Sequence, residues 1–99
     1  MHDICSPTEL RLRLTPIFDQ YNVKRAVLFG SYASGAAHEK SDIDLLVDSG
    51  LRGLRFVSLC EDIRRALGKE IDLFDVTHIE KDSRIDQEIA ATGVVIHEK

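Results

Sequence analysis

The chain has few of the residues that cross-link a protein or bind metal through soft ligands. Its two cysteines, Cys5 and Cys60, lie 55 positions apart in 99 residues. They make neither a short metal-binding pair nor a disulfide framework. Cys60 falls in a helical apolar pattern and reads as a small core side chain. A reduced, cytoplasmic setting is the simplest expectation. His2, His38, His78 and His97 show no HxxxH or HExxH spacing and receive no metal role. No apolar run approaches the roughly 18 residues of a membrane helix. The first 13 positions carry both charge signs and no signal-peptide core. There is no surplus of positive charge either: 13 basic against 17 acidic side chains leave a net charge of −4. A general nucleic-acid or membrane-surface binder usually needs a basic face. Arg52/Arg55 and Arg64/Arg65 could still bind a phosphate locally, but a solvated helix face is the favoured reading. No repeat, low-complexity segment or linker interrupts the chain. One domain spanning 1–99 is expected, with a core only just large enough. A partner or self-association into a homo-oligomer would add stability.

The patterning predicts an α/β domain: a small mixed β-sheet flanked by helices. "SPTE" opens a helix, with Ser6 as N-cap, Pro7 at the first position and Glu9 closing a capping box. Leu10, Leu14, Ile17, Phe18 and Tyr21 keep helical spacing. Pro16 should kink this helix or start a second one capped by Thr15. "KRAVLFG" from Lys24 to Gly30 and "IDLLVD" from Ile43 to Asp48 read as strands. Phe56, Leu59, Cys60, Ile63 and Leu67 mark an amphipathic helix from Leu54 to Leu67, stopped by Gly68. "EIDLFDV" from Glu70 to Val76 is a third strand. "THIE" from Thr77 to Glu80 matches a second capping box and should open a helix ending near Gly93. "VVIH" from Val94 to His97 is a last strand.

Strand parity separates chemistry from core. Side chains alternate across a strand. Ile43, Leu45 and Val47 therefore share one face, and Asp42 and Asp44 the other. Two carboxylates held that close resist ionisation. A divalent cation resolves the conflict, and Mg²⁺ accepts one or two carboxylates with water and substrate phosphates. Asp72 has the matching parity on the third strand. If that strand runs parallel to Ile43–Asp48, Asp72 joins the pair. Three carboxylates can hold two metals about 3.5–4 Å apart, an arrangement suited to in-line displacement. Upstream, "GSYASG" follows a strand directly. Gly30 permits close backbone approach, and Ser31 can cap a short helix whose N–H groups favour phosphate. The Walker A pattern and GxGxxG are both absent. The parts suit attack of a hydroxyl on a nucleoside triphosphate.

"FGSYASGAAHEKSDIDLLVD", with a third Asp on a later strand, resembles the DNA polymerase β-like nucleotidyltransferase superfamily. The whole chain is similar to its minimal, single-domain branch. The resemblance implies the polymerase β-like fold and Mg²⁺-dependent transfer of a nucleoside monophosphate, AMP from ATP. It implies that Gly30 and Ser31 contact the β- and γ-phosphates. Asp42, Asp44 and Asp72 would hold two Mg²⁺ ions. It further implies a HEPN-type helical toxin as partner, with this chain the antitoxin that adds AMP to a toxin tyrosine. One position departs from the pattern: Ser34 stands where many relatives of G-S-x-A-(R/K)-G carry a cation, a contact that Lys40 or a partner residue would have to replace.

The bland reading of Asp42 and Asp44 is a solvated strand start, and of Ser31 an ordinary cap. Glu70 and Asp75 compete with Asp72 for the third place. Asp48 reads as a structural strand terminator. A second function class is a binding module that neutralises its partner by contact. A third is transfer to a small molecule such as an aminoglycoside, disfavoured because no acceptor-binding domain is seen.

Overall fold

The computed structural model describes residues 6–35 and 42–99. His2, Cys5, His38, Lys40 and the serine of the S-D-x-D motif, Ser41, lie outside the described residues. The elements run α1 (Pro7–Gln20), β1 (Arg25–Phe29), α2 (Ser31–Ser34), β2 (Ile43–Asp48), α3 (Leu54–Leu67), β3 (Ile71–Asp75), α4 (Arg84–Thr92) and β4 (Val94–Glu98). A single 3₁₀ turn, Val76–His78, sits between β3 and α4.

The strands form one mixed sheet in the order β3-β2-β1-β4. β1 pairs antiparallel with both β2 and β4. β2 and β3 are parallel, and α3 supplies the crossover that a parallel pair requires. The period-two pattern is kept along β2, where Ile43, Leu45 and Val47 are buried and the alternate residues are half-buried. This apolar face meets Leu10, Leu14 and Phe18 of α1 and Leu59, Ile63 and Leu67 of α3. Cys60 is partly buried against the same core as a free thiol. The sheet's second face is covered more thinly. Phe29 and Phe74 meet there with ring centroids 6.1 Å apart. The end of α4 closes on Val27: a Cβ added to Gly93 would stand 3.0 Å from it.

Three local expectations are revised. Pro16 does not start a second helix, because α1 runs unbroken from Pro7 to Gln20. Pro16 lies on the solvent side, so water can satisfy the carbonyl its missing N–H leaves free. Thr15 is no cap; its hydroxyl donates back to the Arg11 carbonyl at 2.6 Å. Ser6 does cap α1, accepting from Glu9 N–H at 3.1 Å. "THIE" does not open a helix. Asp75 takes the cap of the 3₁₀ turn, and its carboxylate accepts from Thr77. α4 starts later, at Arg84, with Ser83 as its cap. A capping box needs an unclaimed turn, and Asp75 had already fixed this one. Ser31 is the first residue of α2 rather than its cap; Gly30 holds that position with no side-chain bond.

Candidate active site

The site gathers at one end of the sheet. β1 ends there at Phe29, and β2 and β3 begin there at Ile43 and Ile71. The antiparallel register sets Phe29 opposite Asp44, and the parallel register sets Asp44 opposite Asp72. Asp44 and Asp72 are therefore neighbours across adjacent strands on the same face. Asp44 is half-buried; Asp42 and Asp72 are exposed. Burial, the Asp72 charge, a hydrogen bond shared with Asp72, and the charges of Glu88 and Asp42 push the Asp44 carboxyl up to about 6. This is the like-charge conflict expected of paired carboxylates.

Gly30 forms the third side. Its backbone has φ 75° and ψ −150°. A Cβ there would collide with the Asp44 carboxylate and stand 3.2 Å from Glu88 Oε1. Only glycine allows the loop to pass this close. The Gly30 N–H is taken: it donates to Thr92 Oγ1 at 3.0 Å. The N–H groups that point onward are those of the first turn of α2, beginning with Ser31, because α2 has no side-chain cap. Tyr32 anchors that turn in the core and is 3 % exposed. Ser34 is exposed and its hydroxyl donates to the Ser31 carbonyl at 3.3 Å. It presents no positive charge.

Of the competitors for the third acidic place, Asp75 serves the fold. It is 1 % exposed. It accepts from Ser49 N–H and Oγ at 3.1 and 2.6 Å and from Thr77 N–H and Oγ1 at 3.1 and 2.8 Å. Burial opposes its charge, but these bonds prevail and hold its carboxyl below the usual range. Glu70 lies 3.9 Å from Arg64 Nε. Asp48 closes β2 at the far end, opposite Arg25.

Glu88 and Thr92 were not foreseen as site residues. Both sit on α4, four apart, and the Thr92 hydroxyl donates to the Glu88 carbonyl at 2.9 Å. Only their i, i+4 spacing on a helix just before a glycine hinted that they share a face. A groove of about 530 Å³ leads away from Glu88, lined also by His78, Ile79 and Ile85. Among the described residues, no three carboxylate, imidazole or thiol side chains stand close enough to hold a metal by themselves. A cation here would need further oxygen ligands, such as phosphates. No helix among the described residues is long and apolar enough to cross a membrane.

Comparison with known proteins gives a consistent result. The family model described as "Polymerase beta, Nucleotidyltransferase" matches residues 13–99. A protein of Methanocaldococcus jannaschii, provisionally named a protein adenylyltransferase, is 40% identical over 73 residues, 72% of this chain and 78% of the relative. A toxin–antitoxin crystal structure with AMP-PNP superposes with a TM-score of 0.76 at 22% identity, covering 90% of this chain and 73% of that one. A complex of tri-AMPylated Shewanella oneidensis HEPN toxin with MNT antitoxin gives a TM-score of 0.69 at 19% identity, covering 91% and 71%. At those identities the two structures establish the shared fold alone.

Proposed function

This chain belongs to the polymerase β nucleotidyltransferase family, and from that membership we propose that it transfers AMP from ATP to a protein hydroxyl. The acceptor would be a HEPN-type toxin in the cytoplasm, and this chain its antitoxin, acting as a single domain. The observation that carries the reading is the placement of Gly30, Asp44 and Asp72 together at one sheet end. The relative named as an adenylyltransferase and the neighbour with an AMPylated toxin support the choice of nucleotide and acceptor.

Each residue has a distinct task. Gly30 lets the loop pass close to the carboxylates. Ser31 offers its N–H and hydroxyl to the β- and γ-phosphates. Asp42, Asp44 and Asp72 would hold two Mg²⁺ ions. Asp44 and Asp72 face each other across adjacent strands and share a hydrogen bond; their hard carboxylate oxygens suit that ion and leave places for phosphate and water. Bound there, Mg²⁺ supplies positive charge against the triphosphate and the departing pyrophosphate. Asp72 is the most accessible acidic oxygen donor on β3 and faces the incoming hydroxyl. The hydroxyl oxygen bonds to the α-phosphorus as the bond to the β-phosphate oxygen breaks. Its proton passes to the Asp72 carboxylate or to water. Catalysis rests on positioning and charge rather than on a covalent enzyme intermediate.

A contact-only antitoxin is the second reading, favoured by Ser34, whose hydroxyl is turned back onto its own helix. Transfer of label from α-phosphate-labelled ATP to a HEPN-type partner protein captured from a lysate of the source cells, with Asp44→Asn as control, separates the two. Label with wild type and none with the variant is the expected result. Partner binding without label in either sinks the enzyme reading and leaves the contact module.

A further inference from the structure

The Glu88 carboxylate has no evident structural task. It is half-buried on α4, and among the described residues no hydrogen bond or ion pair engages it. An unpaired carboxylate on a helix normally turns to solvent. This one instead stands over the Gly30 loop, 3.2 Å from the point a Gly30 Cβ would occupy. The Asp44 carboxylate comes closer still to the same point. α4 is held in this place by a two-step chain: Gly30 N–H donates to Thr92 Oγ1, which donates to the Glu88 carbonyl. The loop that would receive a triphosphate is thus bordered by two carboxylates from different elements.

That geometry has a consequence for an anion. A phosphate reaching the Ser31 N–H meets the negative charge of both carboxylates beside Gly30. Removing Glu88 would ease its entry when no cation is present. With a divalent cation bound, the same carboxylate adds to the field that holds the cation beside the phosphate. One charge therefore opposes the bare nucleotide and favours the metal–nucleotide pair. By linkage, this strengthens the mutual dependence of the two ligands.

We propose that Glu88 is a specificity-determining residue that couples nucleotide binding to the divalent cation, so that the site refuses a triphosphate arriving without its metal. The inference rests on the nucleotidyl-transfer reading and deepens it. It assigns Glu88 to ligand selection because its carboxylate borders Gly30 and its charge acts on Asp44.

The test measures binding, not turnover. Affinity for a non-hydrolysable ATP analogue is titrated calorimetrically with Mg²⁺ and with EDTA, for wild type, Glu88→Gln and Glu88→Asp. Glu80→Gln, an exposed carboxylate on the preceding loop, controls for net charge. Mn²⁺ affinity is measured by electron paramagnetic resonance with and without the analogue, as the reciprocal arm. In wild type the cation should tighten nucleotide binding strongly. Glu88→Gln should shrink that enhancement by about tenfold, mainly by tightening binding in EDTA. Glu88→Asp should restore part of it, and Glu80→Gln should leave it unchanged. A purely structural role would weaken binding equally with and without cation. That result, or an unchanged enhancement in Glu88→Gln, overturns the assignment while the nucleotidyl-transfer reading stands. No nucleotide binding by wild type under either condition overturns both.

Discussion

At Gly30 two demands meet on one residue. The backbone occupies φ 75°, ψ −150°, a region close to glycine's alone. The added methyl of Gly30→Ala would also press on the Asp44 carboxylate. The variant should lose about 1–3 kcal/mol of stability and fail to bind nucleotide, as urea unfolding and calorimetry would report. Asp44 carries strain of another kind. Its carboxyl binds a proton more readily in the folded protein, at about 6, than at the ordinary 3.8. A raised carboxyl of this sort costs stability once ionised. Metal-free protein should therefore lose stability as pH rises from about 4 through about 6. Asp44→Asn removes the cost, about 1 kcal/mol after solvent screening of a half-exposed group. The variant should melt about 4–8 °C higher at pH 7.5 and hardly differ at pH 4. Equal melting at pH 7.5 would show that the carboxylates do not repel as described. Asp75 has the opposite sign. Its depressed carboxyl contributes stability that is lost as pH falls through its folded value. Asp75→Ala strands donors from Ser49 and Thr77 and should cost about 2–4 kcal/mol.

Among the elements, α4 joins the fold to the site. It spans nine residues, none fully buried, yet its Thr92 hydroxyl secures the Gly30 loop. Thr92→Val keeps the shape and removes the acceptor. It should cost about 1 kcal/mol and weaken nucleotide binding several-fold, with the partner still bound in a pull-down. What the sequence disclosed at this scale followed from periodicity. β2 and α3 were legible to the residue because alternation and helical spacing reflect burial on one side. Asp44 and Asp72 could be paired by parity once the strands were taken as parallel. The start of α4 was not legible. "THIE" and Asp75 offered rival caps, and only the buried bonds of Asp75 to Ser49, 26 residues away, decide between them. Glu88 was hidden for a related reason. Its place over Gly30 depends on how α4 crosses the sheet, which no local motif encodes.

The whole molecule is unequally clad. α1 and α3 bury one sheet face through Leu10, Leu14, Phe18, Leu59, Ile63 and Leu67. Among the described residues, the face that carries Asp44 and Asp72 has one short helix, α4. Local opening should follow that asymmetry: amide hydrogens of α4 should exchange well before those of α3. ATP with Mg²⁺ should slow exchange in α4 more than in α1. Exchange at matching rates in α3 and α4 would refute the thin-clad picture. The sheet's direction has a practical corollary. β4 pairs antiparallel with β1, so Glu98 lies beside Arg25 and not beside Gly30. Five strand residues at about 3.3 Å each put roughly 16 Å between Arg25 and the Gly30 loop. A fluorophore or surface tether attached at Lys99 would therefore leave the end of the sheet that holds Gly30, Asp44 and Asp72 open, and a single-molecule assay can anchor the protein there.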